Sequence, residues 1–143
     1  MRTWFKEFEI QTRKPEEAIN ITPEVEHTVS ESGIQEGVVC IYSRHTSSGV
    51  MVTEGLWDLE EDIVEFFDAL MAAKSSFRHS RFLHEDGRLG INPRAHIKSV
   101  LCGYHAQFPV HEGKIVKGSR QTVYFIEFDG PLCRYWNVQV LGE

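Results

Sequence analysis

The sequence lacks any long hydrophobic run. No stretch approaches the ~18 apolar residues that a membrane-spanning helix needs, and the first ten residues alternate polar with apolar, unlike the apolar block of a secretion signal. We therefore expect a cytoplasmic protein with no membrane partner. Cysteine is also scarce. Three cysteines with no Cys-x-x-Cys pair argue against a disulfide framework or a cysteine zinc site, and we expect them to be buried small hydrophobes.

The common catalytic sequence motifs are also missing. The chain contains no Walker loop, no Gly-x-Gly-x-x-Gly segment, no His-Glu-x-x-His zinc motif and no nucleophile elbow. Each of these absences excludes a frequent enzyme class. Any chemistry must therefore come from residues that are scattered along the chain.

What the sequence does contain is ordinary for one globular domain. Its 143 residues are 41% hydrophobic and 25% charged, which is enough to bury a sizeable core. The charge is unevenly placed, because residues 1–72 hold 15 acidic and 5 basic side chains and residues 73–143 hold 6 acidic and 10 basic. The basic residues are densest from Lys74 to Lys98, which predicts a segment that collects anions. With 15 basic against 21 acidic residues overall, the composition favours a small phosphorylated ligand over nucleic acid as the partner.

Hydrophobic patterns predict mostly strands with two helices. Residues 3–11 alternate, residues 37–43 and 48–54 form two apolar runs, and three further runs toward the C-terminus predict a meander of strands. Helices are expected from Thr22 to Gly33 and from Asp58 onward. Residues 74–95 are expected to form a long polar loop. The predicted fold class is α+β, with β-sandwich-like mixed sheets and two flanking helices in a single compact domain over residues 1–143.

Three histidines could form the centre of a site. His45 separates two predicted strands and is followed by the hydroxyl residues Thr46 and Ser47, while His79 and His96 lie near the ends of the basic segment. Neutral imidazoles together with a carboxylate suit a divalent metal such as zinc, although each histidine taken singly is more often structural. The predicted carboxylates are Glu54 and Glu127, of which Glu127 requires a partner if it points inward.

Six short motifs, in order, resemble the YjbQ-like family, also described as secondary thiamine-phosphate synthases. The resembling segments are His45-Thr46-Ser47 with Glu54, Phe77-Arg78-His79, Asn92 to Lys98, Gly103 to Val110, Gly118 with Gln121, and Glu127 to Pro131. The chain departs from the family's usual residues at Thr53, Arg94, Arg120 and Leu132. We expect these departures to affect which ligand is bound more than they affect the fold.

The resemblance implies a compact β-sandwich-like homotrimer that joins a hydroxymethylpyrimidine diphosphate to a thiazole phosphate and releases pyrophosphate. The resemblance also implies that His45, His79 and His96 bind a divalent metal, zinc or magnesium. Glu54 or Glu127 would complete the metal shell or act as base. The expected ligand-binding residues are Thr46, Ser47, Arg78, Asn92, Lys98, Arg120 and Gln121. The alternative is a non-catalytic homotrimer that binds a metal or a phosphorylated metabolite.

Overall fold

Two antiparallel sheets and three helices make up the structure. This computed structural model describes residues 1–80, 82–83, 88–89 and 91–143, with backbone alone at 82–83 and 88–89. The predicted basic residues Arg81 and His84 lie outside the described residues. The elements are β1 (Arg2–Gln11), β2 (Glu17–Asn20), α1 (Thr22–Ser32), β3 (Gly37–Ser43), β4 (Ser48–Glu54), α2 (Trp57–Ala72), β5 (Phe82–Leu83), β6 (Arg88–Leu89), α3 (Pro93–Cys102), β7 (His105–His111), β8 (Lys114–Ile115), β9 (Gln121–Glu127) and β10 (Cys133–Gly142).

The sheets stack as layers. The larger one has the strand order β1-β10-β3-β7-β8, the smaller one has the order β2-β9-β4, and β5 pairs with β6 in a separate ribbon. The main core joins the two sheets and α1, and includes Val25, Ile41, Phe125 and Trp136. A second cluster packs α2 and α3 on the other face of the small sheet, around Ile126. This layering confirms the α+β, sandwich-like, single-domain prediction.

Several details differ from the sequence prediction. The described pairings within both sheets are all antiparallel rather than mixed. The last strands are not a meander, because β9 is buried on both faces at the centre of the small sheet and β10 lies between β1 and β3 in the large one. The expected polar loop ends early, since Pro93 begins a third helix.

Helix α1 begins and ends close to the predicted positions, and no side chain caps its N-terminus. Pro23 occupies its first turn, and Gly33 ends it with φ +64°, in the left-handed region that glycine tolerates. The Thr22 hydroxyl does not cap the helix. It accepts a hydrogen bond from the Val123 amide at 2.8 Å, which ties α1 to β9.

The three cysteines are less buried than expected. Cys40 and Cys102 are half-buried and Cys133 is exposed, so the prediction of three buried thiols was wrong for Cys133. Burial raises the pKa of the Cys102 thiol to about 11, which keeps it protonated and unreactive at neutral pH. Among the described residues, no helix is both long and apolar enough to cross a bilayer.

Close packing near Gly49 sets the position of α3. A Cβ at Gly49 would lie 2.5 Å from the Gly103 carbonyl oxygen, so only glycine allows the end of α3 to approach β4 this closely. The Val50 amide donates to that same carbonyl at 3.1 Å. Helix α3, which carries His96, is thereby held against the strand that follows His45.

Candidate functional site

His45 lies in the short connection between β3 and β4. Its Nε2 accepts a hydrogen bond of 2.9 Å from the Tyr135 amide, so the ring orientation is fixed by β10. Burial lowers the pKa of His45 below its ordinary value, and the nearby Arg134 guanidinium lowers it further. His45 is therefore a neutral imidazole at neutral pH.

This lowered pKa predicts a pH dependence of stability. As pH falls below about 6.5, the unfolded chain takes up a proton at His45 more readily than the folded chain, so the free energy of unfolding decreases. We expect His45→Gln to show a smaller loss between pH 7.5 and pH 5.5 than the parent protein, in denaturant titrations. The exposed His105→Gln variant is the control. Parallel losses in parent and His45→Gln would contradict the burial of a neutral ring.

A buried ion pair lies beneath His45. Glu127 is 0% exposed, and its two oxygens accept hydrogen bonds from Arg134 Nε at 2.7 Å and Nη2 at 2.6 Å. Arg134 Nη2 also donates to the Ser47 hydroxyl at 2.9 Å, and the Thr12 hydroxyl donates to Glu127 at 3.0 Å. Through the Ser47 hydroxyl, the ion pair thus holds in place the connection between β3 and β4 that contains His45.

Arg134 is the residue that the sequence prediction missed. The core-facing positions of β10 include Trp136 and Val138, and the same alternation places Arg134 on that face. A cation on the apolar face of a predicted strand was therefore the available signal. It identifies the partner that an inward-pointing Glu127 requires.

His79 and His96 lie against each other in the lining of one cavity. Their ring centroids are 5.3 Å apart with planes at 72°. Nδ1 of His96 donates to the Thr46 carbonyl oxygen at 2.9 Å, which leaves Nε2 of the neutral ring as an acceptor. The cavity is about 710 Å³ and is lined by these two imidazoles, by the cations Lys74 and Arg78, and by Thr46, Phe77, Pro93 and Ile97.

The third predicted histidine, His45, lies beside this cavity. His45 lines an adjoining cavity of about 570 Å³ together with Arg44 and Tyr104. Thr46 lines both cavities and joins them. The structure therefore brings two of the three predicted imidazoles into one cavity and places the third beside it.

Three predicted site residues lie at the opposite end of the small sheet. In the β4–β9 ladder Ser48 pairs with Glu127, whereas Glu54 pairs with Gln121. The ladder between these two pairs spans roughly 20 Å. There the exposed Arg120 donates to Glu54 at 2.9 Å. Glu54, Arg120 and Gln121 thus form a separate cluster within one chain.

Lys98 and Asn92 are both engaged by carboxylates. The Lys98 side chain is 1% exposed, and its ammonium contacts Glu16 and Asp68, the latter at 2.6 Å. Burial raises the pKa of Glu16 while Lys98 opposes that rise. Asn92 donates to Asp129 at 2.6 Å at the start of α3. Lys98 therefore ties α3 to α2 and to the loop before β2.

The described residues do not bring the three predicted histidines together as one set of metal ligands. Within the described ranges, no group of three or more His, Cys, Asp or Glu side chains is arranged to hold a metal ion. His45 Nε2 is already bonded to a backbone amide, and only His79 and His96 share a cavity. A divalent metal at three histidines therefore stays a prediction.

Comparisons with known proteins agree along nearly the whole chain. The family model described as UPF0047 protein YjbQ-like matches residues 6–143. UPF0047 protein MJ1081 of Methanocaldococcus jannaschii is 34% identical over 137 residues, covering 95% of this chain and 93% of that protein. UPF0047 protein YugU of Bacillus subtilis is 34% identical over 138 residues, covering 96% and 98%.

Solved structures show the same fold. A YbjQ-like protein of Sulfolobus solfataricus superposes with a TM-score of 0.90 at 30% identity, covering 99% of both chains. A hypothetical protein of Aeropyrum pernix superposes with a TM-score of 0.86 at 31% identity, covering 100% of both. Because the family model matches residues 6–143 and relatives of 34% identity cover nearly the whole chain, this protein belongs to the YjbQ-like UPF0047 family.

Proposed function

We propose that this protein is a thiamine-phosphate synthase-like transferase that joins a hydroxymethylpyrimidine diphosphate to a thiazole phosphate. The observation that carries the proposal is the cavity at His79 and His96, whose lining combines two imidazoles and two cations with apolar side chains such as Phe77 and Ile97. An aromatic ring that bears phosphate matches this mixture of apolar wall and positive charge. The volume of this cavity, about 710 Å³, is in the range of sites that bind small ligands.

The proposed reaction needs charge stabilisation more than a nucleophile. The bond between the pyrimidine methylene carbon and the diphosphate oxygen breaks, and its electron pair leaves with pyrophosphate. The thiazole nitrogen supplies the electron pair for the new carbon–nitrogen bond. Arg78 and Lys74 would hold the phosphate groups. A ring N–H of His79, and Nε2 of His96 when that ring is protonated, would donate hydrogen bonds to the developing charge.

A resident divalent metal is part of the same proposal only as an expectation. When bound, zinc or magnesium would neutralise the leaving diphosphate. His79 and His96 are the two imidazoles that share the cavity, and a further ligand would have to come from elsewhere. Metal content measured on untreated protein tests this expectation directly.

We also propose that the chain assembles as a homotrimer. The support is apolar surface on the outer helices, since Trp57 is 72% exposed on α2 and Val100 is 81% exposed on α3. In a trimer, Glu54 and Arg120 of one copy could act at the imidazole cavity of another. Light scattering should then give three times the 16.5 kDa mass of one chain.

The test of the proposed reaction is turnover with the two precursors. We expect thiamine phosphate and pyrophosphate to appear in equal amounts, and neither to form when one precursor is omitted. Absence of both products at high protein concentration would contradict the synthase proposal.

A specific observation favours a second candidate, a non-catalytic binding protein for phosphorylated metabolites. Both predicted bases are placed away from the imidazole cavity, because Glu127 is buried in its pair with Arg134 and Glu54 lies at the far end of the small sheet. Saturable binding of thiazole phosphate without turnover would favour this candidate.

A further inference from the structure

A second cavity adjoins the first. It is about 630 Å³ and lies between the loop after α2, the start of α3 and the end of β9. Its polar lining differs from that of the first cavity and consists of Ser75, Ser76, Ser80, Asn92, Arg94 and Asp129. Phe77 and Pro93 line both cavities, so they form the wall between them.

This wall carries a cation on each side. Lys74 Nζ lies 5.6 Å from the centroid of the Phe77 ring and lines only the first cavity. Arg94 Cζ lies 5.8 Å from the same centroid and lines only the second cavity. Both contacts are within cation–π range, so the ring orients both side chains. Each cavity thus has its own positive charge at the shared wall.

We propose, resting on the proposed function above, that the second cavity binds the pyrimidine diphosphate and the first binds the thiazole phosphate. Serine hydroxyls and an arginine are donors for diphosphate oxygens. The Asp129 carboxylate, which accepts a hydrogen bond from Asn92, would also accept an N–H from an aminopyrimidine. A ligand with both an amino group and a diphosphate therefore fits this lining better than an anion alone.

A two-cavity arrangement explains how a condensation could proceed without a nucleophilic side chain. Each ligand is held by its own cation, and the two reacting atoms meet at the edge of the Phe77–Pro93 wall. Positioning two reactants in this way supplies much of the advantage of such a reaction. The leaving pyrophosphate stays beside Arg94.

Calorimetric titration of three variants with two probes tests the assignment. The probes are inorganic pyrophosphate and thiazole phosphate. We expect Arg94→Ala to raise the Kd for pyrophosphate at least about tenfold with little change for thiazole phosphate, and Lys74→Ala to do the reverse. Lys114→Ala, an exposed lysine on β8, is the control and should leave both Kd values unchanged. Arg94→His, which keeps a nitrogen donor in place of the guanidinium, should give a pyrophosphate Kd between those of parent and Arg94→Ala.

The results separate this assignment from the proposed reaction. Equal effects of Arg94→Ala and Lys74→Ala on both probes, no effect of Arg94→Ala, or no pyrophosphate binding by the parent would each overturn the two-cavity assignment. If the Kd values of the two variants change as expected but turnover is absent, the two-cavity assignment is supported and the proposed synthase reaction is wrong. If turnover occurs and Arg94→Ala leaves the KM for the pyrimidine diphosphate unchanged, the two-cavity assignment is wrong and the proposed reaction is supported.

Discussion

Replacing Arg134 by methionine should lower the free energy of unfolding by about 3–5 kcal/mol. Arg134 is 5% exposed and donates to both oxygens of Glu127, which is itself fully buried. Without the guanidinium, a carboxylate is left uncompensated in the core and the Ser47 hydroxyl loses a donor. Equilibrium unfolding in urea, at neutral pH, measures the loss.

Two control variants isolate the buried charge as the cause. Arg120→Met removes an exposed arginine that also bonds a glutamate, and it should leave stability unchanged within error. The double variant Arg134→Met with Glu127→Gln removes the stranded charge but keeps an acceptor oxygen. It should recover a large part of the lost stability. A single Arg134→Met variant as stable as the parent would show that the pair does not stabilise this region.

Replacing His96 by alanine should reduce turnover of the two thiamine precursors by roughly 10²–10⁴-fold. His96 is held by the Thr46 carbonyl with its Nε2 free to act in the cavity, and its ring lies 5.3 Å from that of His79. His79→Ala should give a loss of similar size. Initial rates of pyrophosphate release measure both effects.

The matched control is His111→Ala, at an exposed histidine at the end of β7 that bonds Glu36 just before β3. It should retain the parent rate. Because His96 is only partly buried, the His96→Ala variant should unfold near the parent midpoint, so lost activity would not reflect lost folding. Full activity in both His79→Ala and His96→Ala would remove the imidazole cavity from the reaction.

The parts of the fold that local patterns dictate were predictable. Apolar runs at 37–43 and 48–54 are the strands β3 and β4 at those bounds, and the turn at His111–Lys114 forms with Gly113 at φ +71°. Each of these depends on a short segment whose own residues determine its conformation. Strand β9, apolar on both faces, was recognisable as a strand, but its partners in the small sheet were not.

The parts that depend on distant segments were not predictable. Lys98 contacts carboxylates 82 and 30 positions away, and no local pattern indicates that Glu16 and Asp68 converge on it. The separation of Glu54 from His45 could have been inferred, because a strand of seven residues between them is extended. Arg134 belongs to no catalytic or metal-binding motif, and only its core-facing position on β10 distinguishes it from a surface arginine.

The most direct test of a phosphate-binding imidazole cavity is an NMR titration that follows the histidine ring resonances as thiazole phosphate is added to the parent protein. Saturable shifts at His79 and His96, with His111 unchanged, are the expected result. Shifts confined to His111 or other exposed rings, or none at all, would contradict it.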